Sequence, residues 1–304
     1  MRWVWDDERR RPRAGLRLAI HLVLLGAVLA PMQIFGSSVP PFVLGPIAFG
    51  SILAITFGAA RWIDRRPVID LGLRWRPLDA GAGALVGSGA IGLVALLESA
   101  SGAADYAVHT PRASSVALIY VAVFFVGVAV QEELVFRGYQ LLNLTEGLTS
   151  AHRSPAKAAA WATLTSASVF GLAHAGNAGA TLLSTLQVAV AGGSLLAVGF
   201  LLTGELGFSI GLHFAWNYAQ CVLGMPVSGF VIAEAQLLTR TPHGSDWLTG
   251  GAFGPEASVL GLVAMLVGTA VSVAYVRARY GRLALQIRLG PLPPTSSAPP
   301  SGDR

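Results

Sequence analysis

The chain has 304 residues, 53% of them hydrophobic and only 12% charged, and its mean hydropathy is +0.60. Soluble domains carry about 25% charged residues, so this composition excludes an ordinary soluble fold and indicates an integral membrane protein. The net charge of +5 comes without a soluble basic face interleaved with aromatics, which excludes a nucleic-acid partner, and the lone Cys221 excludes a disulfide framework and a multi-cysteine metal site.

A helix needs about 20 apolar residues to cross a hydrocarbon core of about 30 Å. Eight segments approach that length: Leu16 to Phe35, Phe42 to Ala60, Gly81 to Leu97, Ser115 to about Leu144, Ala158 to about His174, Ala180 to Leu202, Leu206 to Leu223 and Ser258 to Tyr275. The expected fold is therefore an all-α integral membrane bundle of about eight transmembrane helices enclosing a polar intramembrane site. Residues 1–14 read as a basic cytoplasmic N-terminus. The first apolar run is too long for a signal peptide and lacks a clean cleavage site, so it reads as an uncleaved anchor. Residues 15–280 form the transmembrane helical domain, and the Pro/Ser-rich 281–304 are expected to be a disordered cytoplasmic tail. The one sizeable outer loop runs from Met225 to Pro255, and its "GFVIAEAQLL" is apolar enough to dip into the interface.

Charge sets the orientation. With both termini cytoplasmic, 19 of the 21 basic residues, Arg137 among them, fall inside, and only Arg112 and Arg240 fall outside. That asymmetry predicts a multi-pass protein of the plasma membrane with its termini in the cytoplasm.

Three polar clusters interrupt the apolar segments. "EELVFR" places Glu133 and Arg137 four residues apart, "FGLAH" does the same for Phe170 and His174, and "HFAWN" for His213 and Asn217. On a helix each pair lies on one face, one turn apart. Charge in hydrocarbon costs free energy, so ionisable groups there mark function unless a structural pairing explains them. The set suits water activation: a carboxylate in a low-dielectric cavity takes a proton from water while imidazoles orient that water, bind a metal or donate to an oxyanion. Glu132, His174 and His213 also suffice for a catalytic zinc, which takes three protein ligands and keeps one position for water. Arg137 is expected to neutralise Glu133, leaving Glu132 for the chemistry, and Asn217 can donate to a developing oxyanion.

Other polar residues read as structural. His21 has no ionisable neighbour in its helix, and His109, His152 and His243 fall in loops. Glu98 and Glu205 lie near helix ends, where reaching for water is the ordinary outcome. Gly83 and Gly87 are expected to let helices approach closely. "GFSIG", Gly207 to Gly211, matches the nucleophile-elbow pattern, but that motif needs a strand, a sharp turn and a helix, and these surroundings are helical throughout.

"EELVFRG", "FGLAH" and "HFAWN", in that order on successive membrane helices, resemble the CPBP family of type II CAAX prenyl endopeptidases, bacteriocin-processing enzymes and Abi-type immunity proteins. The resemblance covers about residues 115–223. It implies an intramembrane protease, of metalloprotease or glutamate type, with Glu132 as the base and His174 helping to hold the attacking water. Glu133 and Arg137 would support the site, and His213 with Asn217 would stabilise the oxyanion. The implied substrate is a membrane-associated peptide or protein, and zinc use or a metal-free mechanism both remain open. A rival reading of the same fold is a catalytically idle scaffold or bacteriocin-immunity protein. A proton-coupled transporter would show two related halves, and the sequence has no such repeat.

One geometric conflict remains. Straight helices place Glu132 near the cytoplasmic edge and His174 near the outer edge, too far apart for one site. The expected resolution is a tilted fourth helix that runs on to about Leu144 and a fifth that breaks at "HAGNAGA". Irregular backbone at membrane depth is permitted where it lines a cavity.

Overall fold

The computed structural model describes residues 4–7, 9–35, 39, 41–109, 113–149 and 153–289. His152, Arg112 and most of the expected disordered tail lie outside the described residues. Within hydrocarbon every backbone amide must find its partner inside the segment, so the apolar runs become helices.

In chain order, a two-residue hairpin pair β1 (Trp5–Asp6) and β2 (Arg11–Pro12) precedes α1 (Ala14–Phe35) and α2 (Pro41–Gly58), the latter prolonged by a π-turn over Ala59–Ile63. α3 (Pro77–Ser101) leads into β3 (Ala104–Val108). α4 (Ser115–Glu133) continues through a π-helical stretch, Leu134–Leu141, into α5 (Leu142–Leu148). α6 (Pro155–Ala173), α7 (Leu182–Gln187), a π-turn at Val188–Gly192, α8 (Gly193–Thr203) and α9 (Gly207–Val222) follow. β4 (Leu238–Pro242) pairs antiparallel with β3, Ala104 opposite Pro242, before the short α10 (Asp246–Thr249) and the final α11 (Val259–Tyr280).

The boundaries are written locally. Ser114, Ser154 and Ser258 accept the backbone N–H groups of Ala117, Lys157 and Gly261 and so cap α4, α6 and α11, and Pro155 opens α6. Gly102, Gly204 and Gly281 close α3, α8 and α11 in the left-handed conformation.

All eight expected segments are helical, but six are long and apolar enough to span a bilayer: Ala14–Met32, Val43–Ile63, Pro77–Ser101, Ser115–Leu148, Leu182–Thr203 and Val259–Tyr280. α6 and α9 are not among the six, and the count of eight is not confirmed. They are the helices that carry "FGLAH" and "HFAWN". α9 has only 16 residues and buries most of them against its neighbours.

α3 measures the bundle. Asp79 near its start accepts from the Tyr275 and Tyr280 hydroxyls, at 2.6 and 2.5 Å, and Glu98 near its end accepts a two-pronged contact from Arg240, at 2.8 and 2.7 Å. The two carboxylates stand about 28 Å apart at 1.5 Å per residue, close to a hydrocarbon thickness. At the Asp79 end, Glu146 gathers Arg9, Arg11, Arg17 and Arg66. Arg66 donates to the Arg288 carbonyl at 2.9 Å, and Arg288 reaches Glu205, which also accepts from the Arg74 backbone at 2.9 Å. Asp64 accepts from Tyr139 at 3.0 Å and Asn143 at 2.8 Å in the same network. Glu98 and Glu205 are thus buried and paired, 0% and 1% exposed, rather than reaching for water as expected from their helix-end positions. Their partners lie far away in sequence, where no local pattern shows them.

At the opposite end, burial pushes the Tyr106 hydroxyl above its ordinary pKa, and donation to Glu98 adds to the shift. Burial opposes the Arg240 charge, yet the Glu98 carboxylate prevails and holds it above its usual value. His109 and His243 meet Thr239 at 2.8 Å and Asp105 at 2.9 Å along the β3–β4 pair. His21 is fully buried against Tyr139 and hydrogen-bonds Thr56 at 3.1 Å, in keeping with a structural role.

α3 and α9 run side by side in direct backbone contact. A Cβ on Gly83 would stand 2.0 Å from the Phe208 carbonyl oxygen, and one on Gly211 would stand 2.0 Å from that of Ala80. "GFSIG" is therefore a small-xxx-small packing seam rather than a nucleophile elbow. Its Ser209 is buried and donates to the Leu196 carbonyl at 2.7 Å.

Candidate active site

The long helix built from α4, its π-helical extension and α5 carries the first motif where its winding changes. The α-helix ends at Glu133 and the π-stretch starts at Leu134, a type of local rewinding that recurs at functional sites. Arg137 still reaches Glu133, Nη1 to Oε1 at 3.1 Å, with the two side chains 2% and 0% exposed. Its second arm donates to the Gly193 carbonyl at 3.2 Å, and its guanidinium lies 4.4 Å from the centre of the Phe170 ring. Arg137 is therefore buried inside the bundle.

α9 brings the third motif to the same carboxylates. His213 Nδ1 donates to Glu133 Oε1 at 2.9 Å, and its Nε2 faces Glu132 Oε2 at 3.7 Å. Glu133 Oε1 thus takes both an arginine and a histidine, while its buried Oε2 has no hydrogen-bond partner among the described residues. Glu132 differs: neither oxygen has a hydrogen-bond partner among the described residues, Oε2 is buried, and the side chain keeps 23% exposure.

α6 ends at Ala173, and the following turns, His174 to Gly179, break the helix where "HAGNAGA" was expected to do so. The fourth helix likewise continues past Leu144, as far as Leu148. His174 donates from Nδ1 to the Phe170 carbonyl at 2.8 Å, which fixes the tautomer when the ring is neutral and leaves Nε2 free to accept. Phe170 packs edge-on to both Phe136 and His213, so it ties the second motif to the other two.

Glu132, His174, His213 and Asn217 line one cavity of about 360 Å³. Glu133 and Arg137 stand behind that wall. Asn217 is 6% exposed and makes no side-chain hydrogen bond among the described residues. The cavity is otherwise walled mainly by apolar side chains, the usual make-up of a small-molecule or peptide pocket.

The outer loop contributes residues that no motif announced. Val227 to Ile232 roof the cavity, which places "GFVIAEAQLL" partly over the site. Glu256, also lining the cavity, pins that roof. Its Oε1 accepts from Trp216 at 3.1 Å and Gln220 at 3.2 Å, and its Oε2 accepts from the backbone and hydroxyl of Ser228 at 2.8 and 2.7 Å. Asn177 adds a bond to the Ser228 carbonyl at 2.9 Å. Glu256 stands in a short 3-10 turn, Pro255–Ala257, and its partners lie 28 to 40 residues away in sequence, so nothing local could have marked it.

Among the described residues no group of three or more His, Cys, Asp or Glu side chains is placed to hold a metal ion. His213 and His174 commit Nδ1 to Glu133 and to the Phe170 carbonyl, which leaves Nε2 of each without a hydrogen bond among the described residues.

No curated protein and no solved structure matches the chain. Residues 114–219, the stretch that carries all three motifs and most of the cavity's polar wall, match the model of the Rce1-like family, described as Type II CAAX prenyl endopeptidase Rce1-like.

Proposed function

We propose that the chain is an intramembrane endopeptidase in which Glu132 is the general base. The observation that carries this is the contrast within "EE": Glu133 is held by Arg137 and His213 behind the cavity wall, while Glu132 lines a largely apolar cavity with no hydrogen bond among the described residues. A carboxylate in that position binds a water proton and raises the nucleophilicity of the oxygen.

Water has two protons to place. Glu132 takes one, and His174 Nε2, free to accept because Nδ1 is held by Phe170, takes a hydrogen bond from the other. The oxygen lone pair is then aimed at the peptide carbonyl. As the carbon–oxygen bond forms, negative charge develops on the carbonyl oxygen, and the Asn217 amide, otherwise without a partner, donates to it. The proton on Glu132 passes to the leaving nitrogen as the carbon–nitrogen bond breaks. His213 holds Glu133 and faces Glu132, so it fixes the relative position of the two carboxylates.

The substrate class that suits such a site is a membrane-associated peptide or protein. Both termini are read as cytoplasmic, since the arginine network gathers at one end of the bundle.

Glu132→Gln tests the reading. It keeps shape and removes the base, so the variant folds and inserts but loses peptide-bond cleavage by about a hundredfold or more. A scaffold or immunity protein would be indifferent to the change. A null strain fully complemented by the Gln variant would therefore sink the protease reading.

A further inference from the structure

The arginine network is out of charge balance. Arg9, Arg11, Arg17 and Arg66 all converge on Glu146, and Arg17 also stands 3.6 Å from Asp64. Among the described residues these four cations thus face two buried carboxylates, and Asp6 reaches only the outer edge of Arg9, at 3.9 Å. Several N–H groups of the same arginines are unused. Arg17 and Arg66 are 2% and 5% exposed, yet Arg17 Nε and Nη1 and Arg66 Nε are buried with no hydrogen-bond partner among the described residues. Buried guanidinium groups ordinarily have their charge answered and their donors engaged. Burial holds Arg11 below its ordinary pKa although Glu146 opposes the shift, and Arg17, Arg66 and Arg9 add to the lowering. What the cluster lacks is an anion.

Three helices of membrane length stop here. The span Ala14–Met32 begins between Arg11 and Arg17, Val43–Ile63 ends three residues before Arg66, and Ser115–Leu148 ends two residues after Glu146. The cluster therefore lies at the edge of the hydrocarbon, where lipid phosphates sit. Trp62, at the end of the second span, is exposed, as suits a ring at headgroup depth. The backbone is left-handed at Arg10 and Arg65, φ +49° and +54°. Each is exposed and separates two members of the network, Arg9 from Arg11 and Asp64 from Arg66, so two unfavourable turns deliver the buried arginines.

We propose that this cluster binds the phosphate group of an anionic phospholipid from the adjoining leaflet, with Arg17 and Arg66 donating their unused N–H groups to its oxygens. The planar guanidinium fork matches phosphate oxygens, and a headgroup of net negative charge supplies the missing anion, which a zwitterionic one does not. On the orientation read above this is the cytoplasmic leaflet, the one that carries anionic lipid. Binding joins the N-terminal hairpin, α1, the segment after α2 and α5, and it does not depend on the cleavage reading. Inorganic phosphate offers the same oxygens without acyl chains, so the test separates the two sources.

The purified full chain in neutral detergent micelles is titrated with phosphatidylglycerol, phosphatidylcholine or inorganic phosphate, and thermal unfolding is read together with the lipid retained in native mass spectra. Phosphatidylglycerol should raise the unfolding temperature saturably and stay bound, while phosphatidylcholine at the same mole fraction should do neither. Arg17→Lys keeps the charge and loses the fork. Its lipid-free unfolding temperature should stay near that of the parent, and its affinity for phosphatidylglycerol should fall about tenfold. Arg153→Gln, which removes an exposed arginine following α5 and outside the cluster, should bind as the parent does. If Arg17→Lys does not fold, Arg9→Gln at the edge of the cluster takes its place with the same expected loss. Equal effects of the two lipids, binding of neither, or an unaltered affinity in the cluster variant overturns the site. Saturable stabilisation by phosphate that also displaces phosphatidylglycerol overturns the lipid as source and leaves a free phosphate anion in its place.

Discussion

One continuous helix, Ser115–Leu148, carries two acidic clusters with opposite fates. Glu132 and Glu133 stand about 20 Å along it from Glu146. Glu146 is surrounded by Arg9, Arg11, Arg17 and Arg66, and its network extends to Asp64, Arg288 and Glu205. Glu132 has no hydrogen bond to protein among the described residues. The residue type, the helix and the apolar surroundings are shared, so the difference lies in saturation. A carboxylate whose lone pairs are filled by cations holds parts together, and one left unfilled at a cavity wall is free to take a proton.

The largest expected effect is on stability at the saturated end. Glu146→Ala leaves four arginines around an uncompensated buried space and should cost about 3–5 kcal/mol. Thermal unfolding in detergent measures that, and cleavage normalised to folded protein should stay at the parent level. Lost cleavage with unchanged unfolding would erase the distinction between the ends. Arg137→Ala should cost a similar 3–5 kcal/mol and, unlike Glu146→Ala, also abolish cleavage, because it leaves Glu133 as an uncompensated buried charge on His213 beside Glu132. Adding Glu133→Gln to Arg137→Ala should recover part of the stability, since the unpaired charge is then gone.

A middle-sized effect is expected where both ends share a seam. Gly83→Ala drives a Cβ to within 2.0 Å of the Phe208 carbonyl oxygen, and separating α3 from α9 should cost about 1–3 kcal/mol. Because α9 carries His213, cleavage should fall along with the unfolding temperature. Unaltered values for both would mean that the two helices do not touch as described.

Smaller tests sharpen the picture. The donor geometry predicts that dialysis against a strong zinc chelator leaves cleavage unchanged; loss restored by added zinc would show that Glu132, His174 and His213 close up when working. Above pH 10, Tyr106 should be among the last tyrosines to ionise, because its pKa is raised by burial and by Glu98. A raised folded-state value contributes stability that is fully present below the ordinary pKa near 10 and is lost as pH climbs through the folded value. Absorbance titration of the parent against Tyr106→Phe reads this directly, and a difference spectrum titrating at the ordinary value would place Tyr106 in solvent.

Much of the molecule was legible because its causes are local. Apolar runs force helices, serine and glycine caps fix their ends, and four-residue spacing put Glu133 with Arg137 and His213 with Asn217 on shared faces. The break at "HAGNAGA" followed from requiring Glu132 and His174 to meet. Other features depended on partners that no window contains. Glu98 finds Arg240 at a separation of 142 residues, and His213 finds Glu133 at 80. The tertiary structure alone turned Glu98 and Glu205 inward, made "GFSIG" a packing seam and brought Glu256 down to pin the outer loop over the cavity. Sequence by itself fixes what each residue can do and which helical face it occupies, because backbone hydrogen bonding and side-chain period are short-range. Which lone pairs remain open is decided only when distant faces pack, and on that the chemistry of Glu132 depends.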